Sequence, residues 1–520
     1  MSVQKPVPLQ LARPPRQLRS AHSAAQLHRC GVVMILLIVA LLLAGAGSLT
    51  SAAANAPARD QVTAAIDRLL SHRNLRDAVI GVEIRSVSAR HALYGRNRHE
   101  ALIVASNNKL VSTAAVLFHL GHDALLETGL YCRGTLTEGT LDGNLVVKGG
   151  GDPALCARFH DGDALEPLRV LAAGAQQAQI TTVVGDLVLD DTVFDRGFVA
   201  PGWPADQLDY YYCAPVSGLS WQENVIDVKV EPGTTVGAAA RLFIDPSSAP
   251  FIVEGRIKTG LRTKNPTIHL QRPGADGVIK VRGEMPLGSA RWQGKVAVTT
   301  PPRYFGHMLR QILLQAGVEI RGNIVLAEAP IPVDSQEYRC LSRYTTPLRD
   351  LIIVVNKESH NNFAEHLFKL AGWKTEGQGS FAAGAAAVDK LFEDLVLEEV
   401  DPFTIVDGSG LSRGNRFSAH TLVSLLAAMY DSALRDTFIR SLPVAGMDGS
   451  LKKRMNEEPY RQQVRAKTGW IREVSALSGY IRAGSGEVYV FSILFNGYKG
   501  MNGEMKKVQD DICRVVVDLG

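Results

Sequence analysis

Strand-like and helical patterns stand at both ends of this chain, and a long stretch of different character separates them. Near the front, apolar residues recur at helical spacing over 59–72 (Val62, Ile66, Leu69, Leu70), and strand-like runs follow at 78–87 and 91–94. At the back, 474–482 and 487–495 read as strands joined by Ala483-Gly484-Ser485-Gly486, a hairpin signal, and 502–519 closes as an amphipathic helix. Between about 137 and 300, short β-like runs alternate with Gly, Pro and Asp turns, interrupted by one helix near 163–179. Helical patterns return at 303–316, 347–355, 361–371, 382–395 and 418–431. This order predicts an α+β fold in which both ends share one antiparallel sheet flanked by helices. The expected division is a split domain over 57–136 and 301–520, with 137–300 as a mainly β insert of one or two subdomains.

Residues 31–47 (GVVMILLIVALLLAGAG) carry no charge. Lys5, Arg13, Arg16, Arg19 and Arg29 precede them, no Asp or Glu occurs before Asp60, and small residues fill 51–56. That is the layout of a secretory signal peptide cleaved after Ala54 or Ala56, or of an N-terminal membrane anchor associating through 31–47. Either reading exports the remainder to the periplasm or cell envelope. The formal charge of +4 is carried by the leader, because all but five of the 56 Lys and Arg, and all 52 Asp and Glu, lie from residue 57 onward. The body has no basic excess to neutralise phosphates, which excludes nucleic acid as a partner.

Three motifs carry chemistry. Ser106-Asn107-Asn108-Lys109 follows an apolar run and opens an apolar helix over 109–120. A helix start offers unpaired N–H groups, and Lys109 falls three residues on, on the same face. A buried amine is pushed toward its neutral form and can take the serine proton. Taken alone, the pattern is more often that of a capping serine and an exposed lysine; its context between an apolar run and an apolar helix sets this copy apart. Ser359-His360-Asn361 can supply a relay hydroxyl at Ser359 and an amide at Asn361 for a substrate amide, or simply cap a helix. Lys467-Thr468-Gly469 heads a strand whose edge can dock an extended peptide. Gly469 allows close backbone approach, Lys467 and Thr468 can hold a carboxylate, and the N–H groups of Ser106 and Trp470 can form an oxyanion hole. The combination suits acyl transfer through a serine ester. Second copies read as incidental: Ser450/Lys453 in a polar stretch with a solvent-facing lysine, and Lys258-Thr259-Gly260 as a surface turn.

No Gly-x-Ser-x-Gly, His-Glu-x-x-His or Cys-x-x-Cys occurs, which argues against an α/β-hydrolase and against zinc, and no metal or organic cofactor is expected. Of the cysteines at 30, 132, 156, 213, 340 and 513, the last five would be exported, where one or two disulfides are expected, with Cys132–Cys156 as one pairing.

The motif order resembles the penicillin-recognising serine enzymes, and within them the low-molecular-mass class C penicillin-binding proteins, the D-alanyl-D-alanine carboxypeptidase/endopeptidases of the bacterial envelope. The Ser106-to-Ser359 gap is similar to that class, whose β-lactamase/transpeptidase-like domain carries a large β-rich insert there. So are Gly150-Gly151-Asp152-Pro153, Pro201-Gly202-Trp203-Pro204 and Asp407-Gly408-Ser409-Gly410-Leu411-Ser412-Arg413. The resemblance implies Ser106 as the acylated serine, Lys109 as its base, Ser359 and Asn361 as the second motif, and Lys467 and Thr468 as the third, with Arg413 near the substrate. It implies peptidoglycan stem peptides as substrates and β-lactam antibiotics as acylating ligands. His360 and Trp470 depart from the usual Asp and small residue, and the bulk of Trp470 is expected to narrow the groove. The competing readings are a non-catalytic peptidoglycan-binding scaffold and a β-lactamase or esterase.

Overall fold

The strands Val464–Ile471, Val474–Arg482, Val488–Asn496, Val79–Ser86 and Ala92–Arg96 lie side by side in that order, and every neighbouring pair is antiparallel. Both ends of the chain therefore share one sheet, as the sequence pattern predicts. Local reversals enforce the order: only Arg472 and Glu473 join the first two strands, and Gly486 turns the second hairpin at φ +86°. Val474–Ile481 is buried throughout, so it reads as an apolar run rather than an alternation. On one face Tyr480 donates its hydroxyl proton to the Leu426 carbonyl of the helix Ala419–Asp431 at 2.8 Å. On the other, Gln509 of the helix Asn502–Val517 donates to Ser475 at 3.3 Å.

The computed structural model describes residues 59–519 apart from 263–264, 275–276 and 396–399. The apolar run at 31–47, the cleavage sites at Ala54 and Ala56, and Cys30 lie outside the described residues. Among the described residues no helix is long and apolar enough to cross a membrane.

The helix Asn108–Leu120 is central. Every residue from Asn108 to Leu117 is buried, and the helix stops at Gly121, whose N–H donates to the Leu117 carbonyl at 2.9 Å with φ +85°. Each fully buried Leu or Val there contributes about 1.5–3 kcal/mol through removal from water. A second core lies under a seven-stranded sheet. Leu125–Thr137 forms a hairpin with Thr140–Lys148 and pairs on its other side with Arg339–Pro347. The helices Glu166–Gln177 and Pro301–Gln315 contribute Leu168, Leu171, Phe305 and Leu309 to this core. Two three-stranded sheets, one around Val225–Glu231 and one around Val278–Pro286, complete the β-rich middle of the chain.

The expectation of disulfides is corrected. All five described cysteines are free thiols. Cys132 and Cys156 face different cores, the first with Leu130 and Leu145, the second with Phe363 and Leu367. Cys132 and Cys340 lie on paired strands, but Cys340 opposes Tyr131, so the one-residue offset sends the two thiols to opposite faces. Lys258-Thr259-Gly260 is also not a surface turn. It ends the strand Ile252–Gly260, and Thr259 is buried there, accepting the Gly233 N–H at 2.7 Å.

One buried ion pair ties the sheet to its helical layer. Glu83, on Val79–Ser86, accepts from His420 Nδ1 at 2.9 Å, and both side chains are almost fully enclosed. The Glu83 contact raises the His420 pKa against the opposing cost of burial. A raised folded-state value means the added stability is full below the unfolded value of about 6.5 and is lost as pH climbs through the folded one. Melting curves at pH 5.5 to 8.5 should show this decline in the parent protein. His420→Ala should flatten it and cost about 1.5–3 kcal/mol at the acid end; parallel curves for the two proteins would refute the assignment.

Candidate active site

Ser106 enters the site from a short strand, Leu102–Ile103, through a tight corner. Ala105 sits at φ +46°, unusual for a residue with a side chain, and Ala105–Asn107 is a single 3-10 turn ahead of the main helix. Two glycines from distant motifs press on this corner. A Cβ on Gly410 would lie 1.9 Å from the Ala105 carbonyl oxygen, and one on Gly469 would lie 2.7 Å from that of Val104. The close approach expected of Gly469 is thus against the backbone that presents Ser106. Below the corner, Asn107 donates to Ser478 at 2.6 Å, and Ser478 to Ser492 at 2.8 Å, which fixes the turn to the sheet. Asn107, not Ser106, occupies the helix N-cap position, so the Ser106 hydroxyl is free of that task.

That hydroxyl lies 3.1 Å from Lys109 Nζ. Nζ also donates to Asn361 Oδ1 at 2.8 Å and to the Ser409 carbonyl at 2.7 Å. Those two partners can only accept. A neutral amine here would spend its two N–H groups on them and aim its lone pair at Ser106. Burial pushes the Lys109 pKa down to about 7, against the pull of the Glu365 and Asp407 carboxylates.

Ser409 is held by an arrangement that motif reading alone does not find. Asp407 accepts from the N–H groups of Gly410 and Ser412, each at 2.7 Å, from Asn415 at 2.8 Å and from the Trp203 indole at 2.9 Å. Glu365 accepts from the N–H groups of Gly408 and Ser409 at 2.5 and 2.9 Å. Two buried carboxylates thereby shape the loop that offers its carbonyl to Lys109. The signals in the sequence are the Gly-rich run after Asp407 and the position of Glu365, one helical turn beyond Asn361.

The second and third motifs meet beside the first. Lys467 Nζ donates to Ser359 Oγ at 2.8 Å and to its neighbour's carbonyl, that of Thr468, at 2.8 Å. Lys467 is fully buried, and burial, aided by the Lys109 charge, holds its pKa well below the usual range. Asn361 spends its Nδ2 on the Tyr212 carbonyl at 2.9 Å and its Oδ1 on Lys109, so its amide engages protein groups at both ends. Thr468 Oγ1 lies 2.8 Å from Ser450 Oγ. Ser450 is therefore not incidental: it stands at the rim, while Lys453 is solvent-facing as expected.

The edge of Val464–Ile471 is partly in use. Ala466 N–H donates to the Pro443 carbonyl at 3.0 Å, and Ala445 N–H to the Val464 carbonyl at 2.9 Å. Strand alternation points the amides of Thr468 and Trp470 to the same side, beyond the end of that short segment. The Trp470 ring departs from expectation. It alternates with Gly469 and turns to Tyr498, donating from Nε1 at 3.2 Å, and stays more than half exposed. Arg413 is at the surface, where its guanidinium donates to the Arg472 carbonyl at 3.0 Å rather than to a residue of the three motifs.

The sequence pattern of the D-Ala-D-Ala carboxypeptidase 3 (S13) family matches residues 62–517. The chain belongs to that family. It is a serine-type D-Ala-D-Ala carboxypeptidase of the low-molecular-mass class C penicillin-binding proteins, as the motif order implies. S13 relatives bear this out along most of their length. A D-alanyl-D-alanine carboxypeptidase of Actinomadura sp. is 33% identical over 448 residues, covering 84% of this chain and 81% of the relative. One from Haemophilus influenzae is 26% identical over 435 residues, covering 82% and 87%. The crystal structure of penicillin binding protein 4 from Haemophilus influenzae superposes with a TM-score of 0.77 at 24% identity, covering 87% of this chain and 99% of that one, and shows the shared fold.

Proposed function

We propose that Ser106 is the nucleophile of this S13 carboxypeptidase and Lys109 its general base. The contacts of Lys109 Nζ carry this reading: two obligate acceptors and one serine hydroxyl around a buried amine. Ser106 Oγ attacks the carbonyl carbon of the penultimate D-Ala while its proton passes to Lys109 Nζ. The N–H groups of Ser106 and Trp470 receive the developing oxyanion, each worth about 2.7–4 kcal/mol to the transition state. Ser359, polarised by Lys467, passes its proton to the departing amine and takes up in its place the proton that Lys109 received from Ser106; the C–N bond breaks and D-Ala leaves, with Lys109 neutral again. Water then attacks the ester carbonyl and loses a proton to Lys109, which returns it to Ser106 Oγ as the ester C–O bond breaks and the shortened peptide is released. Lys467 and Thr468, with Ser450 beside them, hold the terminal carboxylate. Arg413, bonded to the Arg472 carbonyl just past the third motif, is a substrate-binding residue outside the three motifs, and Asn361 orients Lys109 before any contact with substrate.

The substrates follow as D-Ala-D-Ala-ended peptidoglycan stem peptides, and β-lactams as acylating ligands. A second Haemophilus influenzae structure of penicillin binding protein 4, holding a β-lactam, supports the latter by kinship. The catalytic part is split, and the interrupting region is wider than the expected 137–300, because 125–136 and 301–347 pair and pack within its seven-stranded sheet and core; residues 1–56 export the whole to the cell envelope as a signal or an anchor. Incubation with a fluorescent penicillin and with a diacetyl-lysyl-D-Ala-D-Ala peptide tests the scheme. The label should map to Ser106 and free D-Ala should accumulate. Folded protein that takes no label and releases no D-Ala would end it.

A further inference from the structure

Ser359 stands in the left-handed region at φ +61°. For a residue with a side chain this conformation is unfavourable and persists only where the surroundings over-determine it. Contacts on both sides do so. Lys357 is paired with Asp448, and Glu358 with Arg158. After Ser359, His360 Nε2 lies 3.2 Å from Glu223 Oε2, while His360 Nδ1 accepts the Phe363 N–H at 3.4 Å. Arg158 and Glu223 are bonded to each other, Nη2 to Oε1 at 2.9 Å and Nε to Oε1 at 3.1 Å. The residues on either side of Ser359 are therefore fastened to one ion pair, and that pair comes from the β-rich middle of the chain.

Glu223 is itself delivered by a strained turn. Gln222, Glu223 and Asn224 have φ of +50°, +58° and +57°. Asn224 locks the turn, accepting from the Trp221 N–H at 3.3 Å and donating to the Pro215 carbonyl at 2.8 Å and to Ser220 at 2.9 Å. Two unfavourable backbone segments thus meet at a single contact between Glu223 and His360. The imidazole must accept at Nδ1 to cap its helix, so the proton directed at Glu223 sits on Nε2. Glu223 also faces Lys295 at 3.7 Å, which is shared with Asp227 at 3.8 Å. Burial opposes ionisation of Glu223, but His360, Lys295 and Arg158 outweigh it and hold the carboxyl well below the usual range.

We propose that Arg158 and Glu223 are positioning residues that grip Glu358 and His360, and so hold the Ser359 hydroxyl and the Asn361 amide in register with Lys467 and Lys109. This rests on Ser359 acting as the proton relay. The pairing also accounts for the histidine in the second motif: an aspartate at 360 would cap the helix equally well but would stand against Glu223 as a second buried carboxylate.

The test uses the full chain and follows kcat and KM for D-Ala release together with melting temperature. His360→Asp should lower kcat about ten- to hundredfold, the cost of a small misplacement of reacting groups, and leave KM within about threefold. Adding Glu223→Gln to His360→Asp should return kcat to within about threefold of the parent, because the repulsion is gone. Glu223→Gln alone preserves size and one acceptor; it should lower kcat severalfold while the melting temperature shifts little. A parental kcat in either single variant, or a double variant no better than His360→Asp, would overturn the proposal. Ser359→Ala run in parallel separates the two levels. If it keeps the parental kcat, the relay reading fails and the proposal with it; if it falls while His360→Asp and Glu223→Gln do not, only the grip is refuted.

Discussion

Replacing Ser106 with alanine is expected to lower kcat on a D-Ala-D-Ala peptide by about 10⁴–10⁶-fold, the range seen when the nucleophile of a concerted site is removed. The covalent penicilloyl adduct, read by intact-protein mass spectrometry, should vanish entirely. The fold should not suffer. The corner that presents residue 106 is held by backbone packing against Gly410 and Gly469 and by the Asn107–Ser478–Ser492 chain, and none of these uses the hydroxyl. Alanine gives up the 3.1 Å hydrogen bond with Lys109, whose Nζ keeps Asn361 and Ser409. An adduct forming on Ser106→Ala at the parental rate would place the nucleophile elsewhere.

Lys109→Met carries the second large effect, a loss of about 10²–10⁴-fold in the acylation rate, the usual worth of a positioned base. Methionine fills the space without an amine, and Glu365 and Asp407 retain the backbone N–H groups that satisfy them. The pH profile gives a sharper reading. The neutral amine is the active form, and burial brings its pKa to about 7. The parental acylation rate should therefore fall about tenfold per pH unit below that value and level off above it. In Lys109→Met the residual rate should lose this acid limb. A parental rate unchanged from pH 5 to 8 would remove Lys109 from the role of base.

Legibility in the sequence depends on whether the signal is local. The hairpin Val474–Asn496 announces itself by apolar runs around a Gly-rich turn, and the serine helix by thirteen residues without an acid. Arg339–Pro347 is invisible to such reading, because this polar strand shows almost no alternation of burial and pairs with a partner about two hundred residues away. The site divides in the same way. Ser106 and Lys109 are one helical turn apart, so their contact follows from spacing. The carbonyl that Ser409 gives Lys109 and the ion pair of Glu223 with His360 join segments far apart in the chain, and the hydrogen bond of Ser450 to Thr468 joins two separate elements across a loop. No periodicity links such segments. The Trp470 ring escapes expectation for a related reason: strand alternation, not bulk, decides which way it points. The cysteines show the limit of compartment arguments, since thiols on opposite faces of one sheet cannot meet in any redox setting.

The short segment from Pro443 to Ala445 has a consequence for which molecules the groove admits. It runs antiparallel along Val464–Ala466 and halts. A peptide laid antiparallel on the remaining edge would travel in the same direction and arrive head-on at Pro443, a residue with no amide hydrogen to offer it. The enzyme's own backbone would then serve as a doorstop, measuring how many residues fit past the scissile bond and favouring chains that finish there over chains that continue.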